Sequence, residues 1–279
     1  MTGRGISARI KNAYSFISHN YTFDHGETEI YLIGYSRGAF TVQCLASLID
    51  QYGLLRRQNL RYLFILFSLW ENQERKGGKW SKFLDQALKS SKNMTPWATK
   101  RGKEKEEDTE KQSEGEADNL LSIKQTLEKE GLVKAVKIKV CAVWDTVSTL
   151  GFPVGPQRFS FVGKEIPKTV ENSIQALSLN ESRKGFNPCV WNPKPALEGN
   201  VVKQCWFLGT HADIGGGNKD VGLAVLSMTW LIAQLRETSK NVSLNDDILM
   251  EILDTEYVIH FRKRMPKLSR FTISDEGAY

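Results

Sequence analysis

The sequence is poor in the residues that mark metal and redox sites. Four cysteines stand among 279 residues, and Cys44, Cys141, Cys189 and Cys205 are too far apart to form a metal-ligand or redox pair. Three of them lie in apolar runs and read as small core residues. This usage gives no argument for an oxidising compartment, a metal or another cofactor. An apolar signal region is not seen in Met1 to Gly5. Long hydrophobic runs are missing too. The longest, Leu60 to Trp70, is broken by Arg61 and is too short to span a bilayer, so it reads as a buried helix. With neither a signal peptide nor a span seen, the compartment is unknown and the cytoplasm is the default expectation. Nor is there a strong charge of one sign. The formal net charge is +6, much of the charge sits in one run, and no nucleic-acid-binding face follows from it.

What is present is ordinary globular material, 41% hydrophobic and 25% charged. Ser7 can cap a helix that runs to about Asn20, with Ile10, Tyr14, Ile17 and Tyr21 on one face. After a polar turn, Glu29 to Gly34 reads as a buried strand. A helix from about Arg37 is stopped by Gly53, and Leu60 to Glu74 looks helical. Helical character returns near Ile123 to Glu130. Ala135 to Trp144 and Val201 to Leu208 read as strands, and Gly222 to Glu237 as a helix. Strands alternating with helices predict an α/β fold, a mostly parallel sheet covered on both faces. The expected organisation is a single domain over 1–279. It carries an insertion at about 75–120, where Lys103 to Lys111 is a charge run too poor in apolar surface to offset its ordering entropy. The basic run from Arg262 to Lys267 reads as solvated surface.

Gly34-Tyr35-Ser36-Arg37-Gly38 is a G-x-S-x-G pentapeptide between a predicted strand and a predicted helix. A serine on so sharp a turn needs small residues two positions before and after it. The turn lifts the hydroxyl above the sheet. It also sets Ser36 at a helix N-terminus, where the backbone N–H of Arg37 can face an oxyanion. The competing reading is an ordinary strand-to-helix turn with a structural serine. A serine nucleophile needs a base. Of the four histidines, His19, His25 and His260 read as surface residues. His211 directly follows a predicted strand and precedes Asp213, Gly215, Gly216 and Gly217, glycines that let a loop bend and approach a ligand. Asp145 ends the strand that closes on Trp144, the edge where parallel sheets place active sites. Asp213 is the rival acid and is expected to fix the glycine loop; a turn cap is the plain alternative for Asp145. The order Ser36, Asp145, His211 is that of α/β-hydrolases.

Three blocks, Gly34 to Phe40, Val143 to Val147 and Gly209 to Gly217, resemble the type VI secretion phospholipase effector-like catalytic domain, a family that includes uncharacterised fungal α/β-hydrolases. The resemblance runs from about Gly3 to Asp220 outside the charged insertion. It implies an α/β-hydrolase-like fold and a Ser-Asp-His triad on Ser36, Asp145 and His211. It further implies an ester or phospholipid substrate with peripheral membrane contact. In that family an early strand precedes the region where this sequence starts, so the early strands, and with them a second oxyanion donor, are expected to be missing. The expected activity is ester hydrolysis through an acyl-enzyme without metal or cofactor. A catalytically inactive scaffold or interaction domain is the alternative, and an acyltransferase using the same triad is a third.

Overall fold

The computed structural model describes residues 4–23, 28–72, 124–147, 159, 161–162, 165–183, 186, 188–192, 198–239 and 241–254. The predicted insertion at 75–120, His25, His260 and the basic run at 262–267 lie outside the described residues. The chain forms two compact units, one of residues 1–28, 44–137 and 158–162, the other of 29–43, 138–157 and 163–279.

The second unit holds a four-stranded sheet of β1 (Tyr31–Tyr35), β4 (Ile138–Trp144), β5 (Val170–Ser178) and β6 (Val201–Phe207), in the order β1-β4-β5-β6. Every pairing is parallel. Parallel strands need crossover connections and are buried by what crosses over. β4 accordingly buries Ile138, Val140, Cys141, Ala142 and Val143. The helix α6 (Gly222–Thr238) sends Leu231 and Leu235 into a core with Val140, Ala142 and Ile174. The fold is thus α/β, a parallel central sheet with helices around it.

β5 has no counterpart among the predicted strands, and its polar residues explain why. Glu171, Asn172, Ser173 and Gln175 break up the apolar run, yet Ser173, Gln175 and Ser178 are buried. Polar side chains of this strand bond other segments, as Ser178 does with Asp145. Asn172 Nδ2 donates to the Lys139 carbonyl (2.9 Å) and Gln175 Nε2 to that of Cys189 (2.8 Å).

In the first unit, α1 (Arg4–Asn20) buries Ile6, Ile10, Tyr14 and Ser18, one position in every four. The Tyr14 hydroxyl donates to the Gly53 carbonyl and accepts from Leu55 N–H, both at 2.8 Å, and burial raises its pKa. Those two backbone groups flank the start of β2 (Leu54–Leu55), which pairs antiparallel with β3 (Val133–Lys134). α2 (Arg37–Tyr52) ends where expected, at Gly53 with φ +77°. The predicted helix after it divides into a 3₁₀ turn, Arg57–Tyr62, and α3, Leu63–Glu71. Trp70 of α3 stacks on Phe159, with ring centroids 5.1 Å apart. Residues 124–129 form α4.

Two expectations are corrected. The strand predicted from Ala135 begins only at Ile138, where the ladder to β5 starts, and Val133–Lys134 just before the predicted start pairs with β2 instead. Three cysteines were expected in the core, but only Cys44 and Cys141 are buried. Cys189 and Cys205 are half-covered, Cys205 because β6, the last strand of the described sheet, has side chains only partly overlaid. No helix among the described residues is long and apolar enough to cross a membrane.

Candidate active site

Because the four strands are parallel, their C-terminal ends share one edge. The residues that follow them there are Ser36 after β1, Asp145 after β4, Leu179 to Arg183 after β5, and Leu208 to His211 after β6. β1 and β4 stay paired to their last residues, Tyr35 opposite Trp144.

Ser36 turns the chain from β1 into α2 with φ +58°, a conformation rarely adopted by a residue other than glycine. Its N–H donates to the Trp144 carbonyl (3.0 Å) and its carbonyl accepts from Phe40 N–H (3.2 Å). The turn needs Gly34, where an added Cβ would lie 2.7 Å from the Gly38 carbonyl carbon and 2.8 Å from Ala39 Cα. At Gly38 the expectation is corrected. An added Cβ there meets no described atom within 4 Å, so the steric demand falls on Gly34, two residues before the serine. Arg37 opens α2, whose first N–H groups have no intrahelical acceptor.

Asp145 also has positive φ, +39°, and is 1% exposed. Its carboxylate accepts from the Ser178 hydroxyl (2.8 Å) and the Ser178 N–H (3.1 Å). The same Oδ2 lies 2.7 Å from His211 Nδ1, and His211 Nε2 lies 2.8 Å from Ser36 Oγ. An ionised carboxylate only accepts, so Nδ1 carries its proton and Nε2 is free to accept from the serine. Ser36, Asp145 and His211, distant in sequence, therefore form one continuous hydrogen-bonded chain.

His211 does not sit in a loop, as the glycines suggested, but opens a one-turn helix, α5 (His211–Gly215). The Asp213 carboxylate accepts from Thr210 N–H (2.7 Å) and Thr210 Oγ1 (2.8 Å), and it also meets Asn218 Nδ2. The Thr210 N–H is the main reason its pKa is lowered. Asp213 is thus spent on the start of this turn, and Asp145 is the carboxylate on the imidazole. Gly216 and Gly217 take φ +85° and +113°, as sharp bending requires. Gly215 serves otherwise: a Cβ there would run into the ring of Tyr35. The fully buried Ser227 hydroxyl accepts from Trp144 Nε1 (3.2 Å) and donates to the Ile214 carbonyl (2.6 Å), tying α5 to the end of β4.

Several residues at the site carried no signal in the sequence. Tyr35 lies in the pentapeptide at a position open to any residue, and its ring stacks on His211 with centroids 4.7 Å apart. Ser178 ends the strand that the pattern hid. Glu181 accepts from His211 N–H (3.2 Å) and from Arg183 through N–H, Nε and Nη2 (2.7 to 2.9 Å). The Arg183 side chain is the main reason the Glu181 carboxyl is lowered to about 2. Phe186 meets the His211 ring edge-on at 5.0 Å. The other histidine described, His19, is exposed on α1, with Nδ1 2.7 Å from the Ser15 carbonyl. Among the described residues no group of three or more His, Cys, Asp and Glu side chains is placed to hold a metal ion.

Residues 1–234 match the family described as T6SS, phospholipase effector Tle1-like, catalytic domain. No curated protein and no solved structure matches the chain.

Proposed function

The chain belongs to the type VI secretion phospholipase effector Tle1-like catalytic domain family, and on that premise we propose that it hydrolyses carboxylic esters of phospholipids through an acyl-enzyme on Ser36. The observation that carries this reading is the unbroken relay Ser36 Oγ–His211 Nε2 at 2.8 Å and His211 Nδ1–Asp145 Oδ2 at 2.7 Å. A serine hydroxyl is a weak nucleophile until a base can take its proton during attack.

In the first half-reaction Ser36 Oγ bonds to the ester carbonyl carbon as its proton passes to His211 Nε2. The backbone N–H of Arg37 faces the negative oxygen of the tetrahedral intermediate. The intermediate collapses, the carbon–alkoxide bond breaks, and the leaving oxygen takes the proton from Nε2. In the second half-reaction water attacks the acyl carbon, Nε2 takes its proton, and the same proton returns to Ser36 as the acid departs. Asp145 keeps Nδ1 protonated throughout and faces the imidazolium that forms in each half. Peripheral contact with a lipid surface belongs to the same reading, since the ester of a phospholipid lies at such a surface.

The test is hydrolysis of short- and medium-chain p-nitrophenyl esters and of phospholipid vesicles, with labelling by a serine-reactive fluorophosphonate. The wild type is expected to hydrolyse and to label. Ser36→Ala is expected to lose labelling and to lose turnover by about a thousandfold or more. A folded wild type that neither labels nor hydrolyses supports the inactive-scaffold alternative, and a Ser36→Ala variant that hydrolyses at the wild-type rate overturns the assignment of the nucleophile.

A further inference from the structure

The His211 side chain is held from more directions than the relay needs. One face of the imidazole lies against the Tyr35 ring, with centroids 4.7 Å apart and planes 27° apart. Phe186 meets the imidazole edge-on, with centroids 5.0 Å apart and planes at 71°. The guanidinium carbon of Arg183 sits 3.7 Å from the Phe186 ring centroid, and Arg183 is itself fastened to Glu181. The backbone of His211 is held as well. The Tyr35 hydroxyl donates to its carbonyl (3.0 Å), and the Glu181 carboxylate accepts from its N–H (3.2 Å).

Tyr35 and Glu181 thus each do more than one thing. Tyr35 touches the ring and the carbonyl of the same residue. Glu181 holds the N–H and anchors the arginine that backs Phe186. The site is also carved to admit Tyr35, because a side chain at Gly215 would occupy the space its ring fills. A surface tyrosine with a fortuitous neighbour would make no such demand on a residue 180 positions along the chain.

We infer that Tyr35 and the Glu181–Arg183–Phe186 latch are positioning residues for His211, gripping the imidazole between two aromatic rings and its backbone between a hydroxyl and a carboxylate. This inference rests on the reading of His211 as the general base. The base must receive a proton from Ser36 and deliver it to a leaving group on the other side of the same intermediate, so a ring free to tilt would lose one of the two alignments. Tyr35 and Phe186 hold the plane of the ring, while Asp145 fixes only the direction of one N–H.

The experiment compares Tyr35→Phe, Tyr35→Leu and Glu181→Ala with the wild-type chain, reading kcat and KM on a p-nitrophenyl ester and, by proton NMR, the low-field resonance of His211 Nδ1–H. Misplacing a catalytic group by about an ångström lowers turnover about a hundredfold, which is the fall in kcat expected for Tyr35→Leu with KM within about twofold of wild type. Tyr35→Phe keeps the ring and loses one hydrogen bond, so kcat falls about fivefold. Glu181→Ala is expected to lower kcat about tenfold without any change in the serine turn. The resonance is expected to broaden or vanish in Tyr35→Leu and to remain in Tyr35→Phe. Wild-type kcat in Tyr35→Leu, or Phe and Leu variants equally slow, overturns the inference. If Tyr35→Leu does not fold, wild-type kcat in both Tyr35→Phe and Glu181→Ala overturns it. A wild type that hydrolyses no ester counts against the proposed reaction, and the resonance then decides alone: unchanged in Tyr35→Leu or, where that variant does not fold, in Glu181→Ala, it overturns the grip, and lost there, it supports it.

Discussion

Ser36 and Asp145 occupy matching places. Each is the first residue beyond a strand, the two strands are paired to their ends, and each residue takes a positive φ, +58° and +39°. The means that hold these unusual conformations are different. At Ser36 the support is local. Gly34 lets the turn close on itself, and the start of α2 continues from it. At Asp145 no glycine stands two residues away on either side. Its carboxylate is instead held by the N–H and hydroxyl of Ser178, 33 residues further along the chain. A strained backbone can thus be supported by what is left out nearby or by what is supplied from afar, and only the first leaves a mark in a short stretch of sequence.

The sharpest way to separate the two is to change Asp145 while keeping its size. Asp145→Asn can still accept from Ser178 N–H but no longer holds a charge beside the imidazole. It is expected to lower kcat/KM about ten-thousandfold with a much smaller change in stability. Activity within tenfold of wild type would remove Asp145 from the relay and reopen the question of a different acid. The next effect tests the local support. Gly34→Ala forces a methyl against the backbone at Gly38 and Ala39, which cannot swing aside as a side chain would. Overpacking of this kind costs about 1–3 kcal/mol, read as a drop in unfolding free energy in urea, and Gly38→Ala should cost less because no described atom stands near its Cβ. Equal losses at the two glycines would show that the turn makes the same steric demand at both positions. The smallest effect belongs to the distant support. Ser178→Ala removes a hydrogen bond to a charged group, worth about 1.5 kcal/mol, so kcat is expected to fall about tenfold. A Ser178→Ala enzyme as fast as wild type would mean that the N–H alone steadies Asp145.

This contrast also marks what could be read from the sequence. α1 and α6 were legible from the spacing of their apolar residues, α2 from the glycine that stops it, and β1, β4 and β6 as short runs rich in strand formers. β5 was not, since Asn172, Gln175 and Ser178 are polar for the sake of partners in other segments. The three residues of the relay stood out through their neighbours: glycine around Ser36, a strand end before Asp145, and glycines after His211. Their separations of 2.7 and 2.8 Å could not be read, because they depend on the register of a sheet with an unseen strand. Tyr35, Ser178 and Glu181 were invisible for the same reason. Each acts on a residue remote in the chain, and none belongs to a spacing that chemistry imposes. The turn at His211 was misjudged because Asp213, three residues after Thr210, builds a helical start that the following glycines masked.

The contact between Tyr35 and Gly215 has a consequence for descent. Position 215 is not free to drift alone, because a side chain there displaces the Tyr35 ring unless position 35 has first become smaller. The dependence runs in one direction: lineages that keep the tyrosine should keep the glycine, whereas those that lose the tyrosine are released to vary at 215.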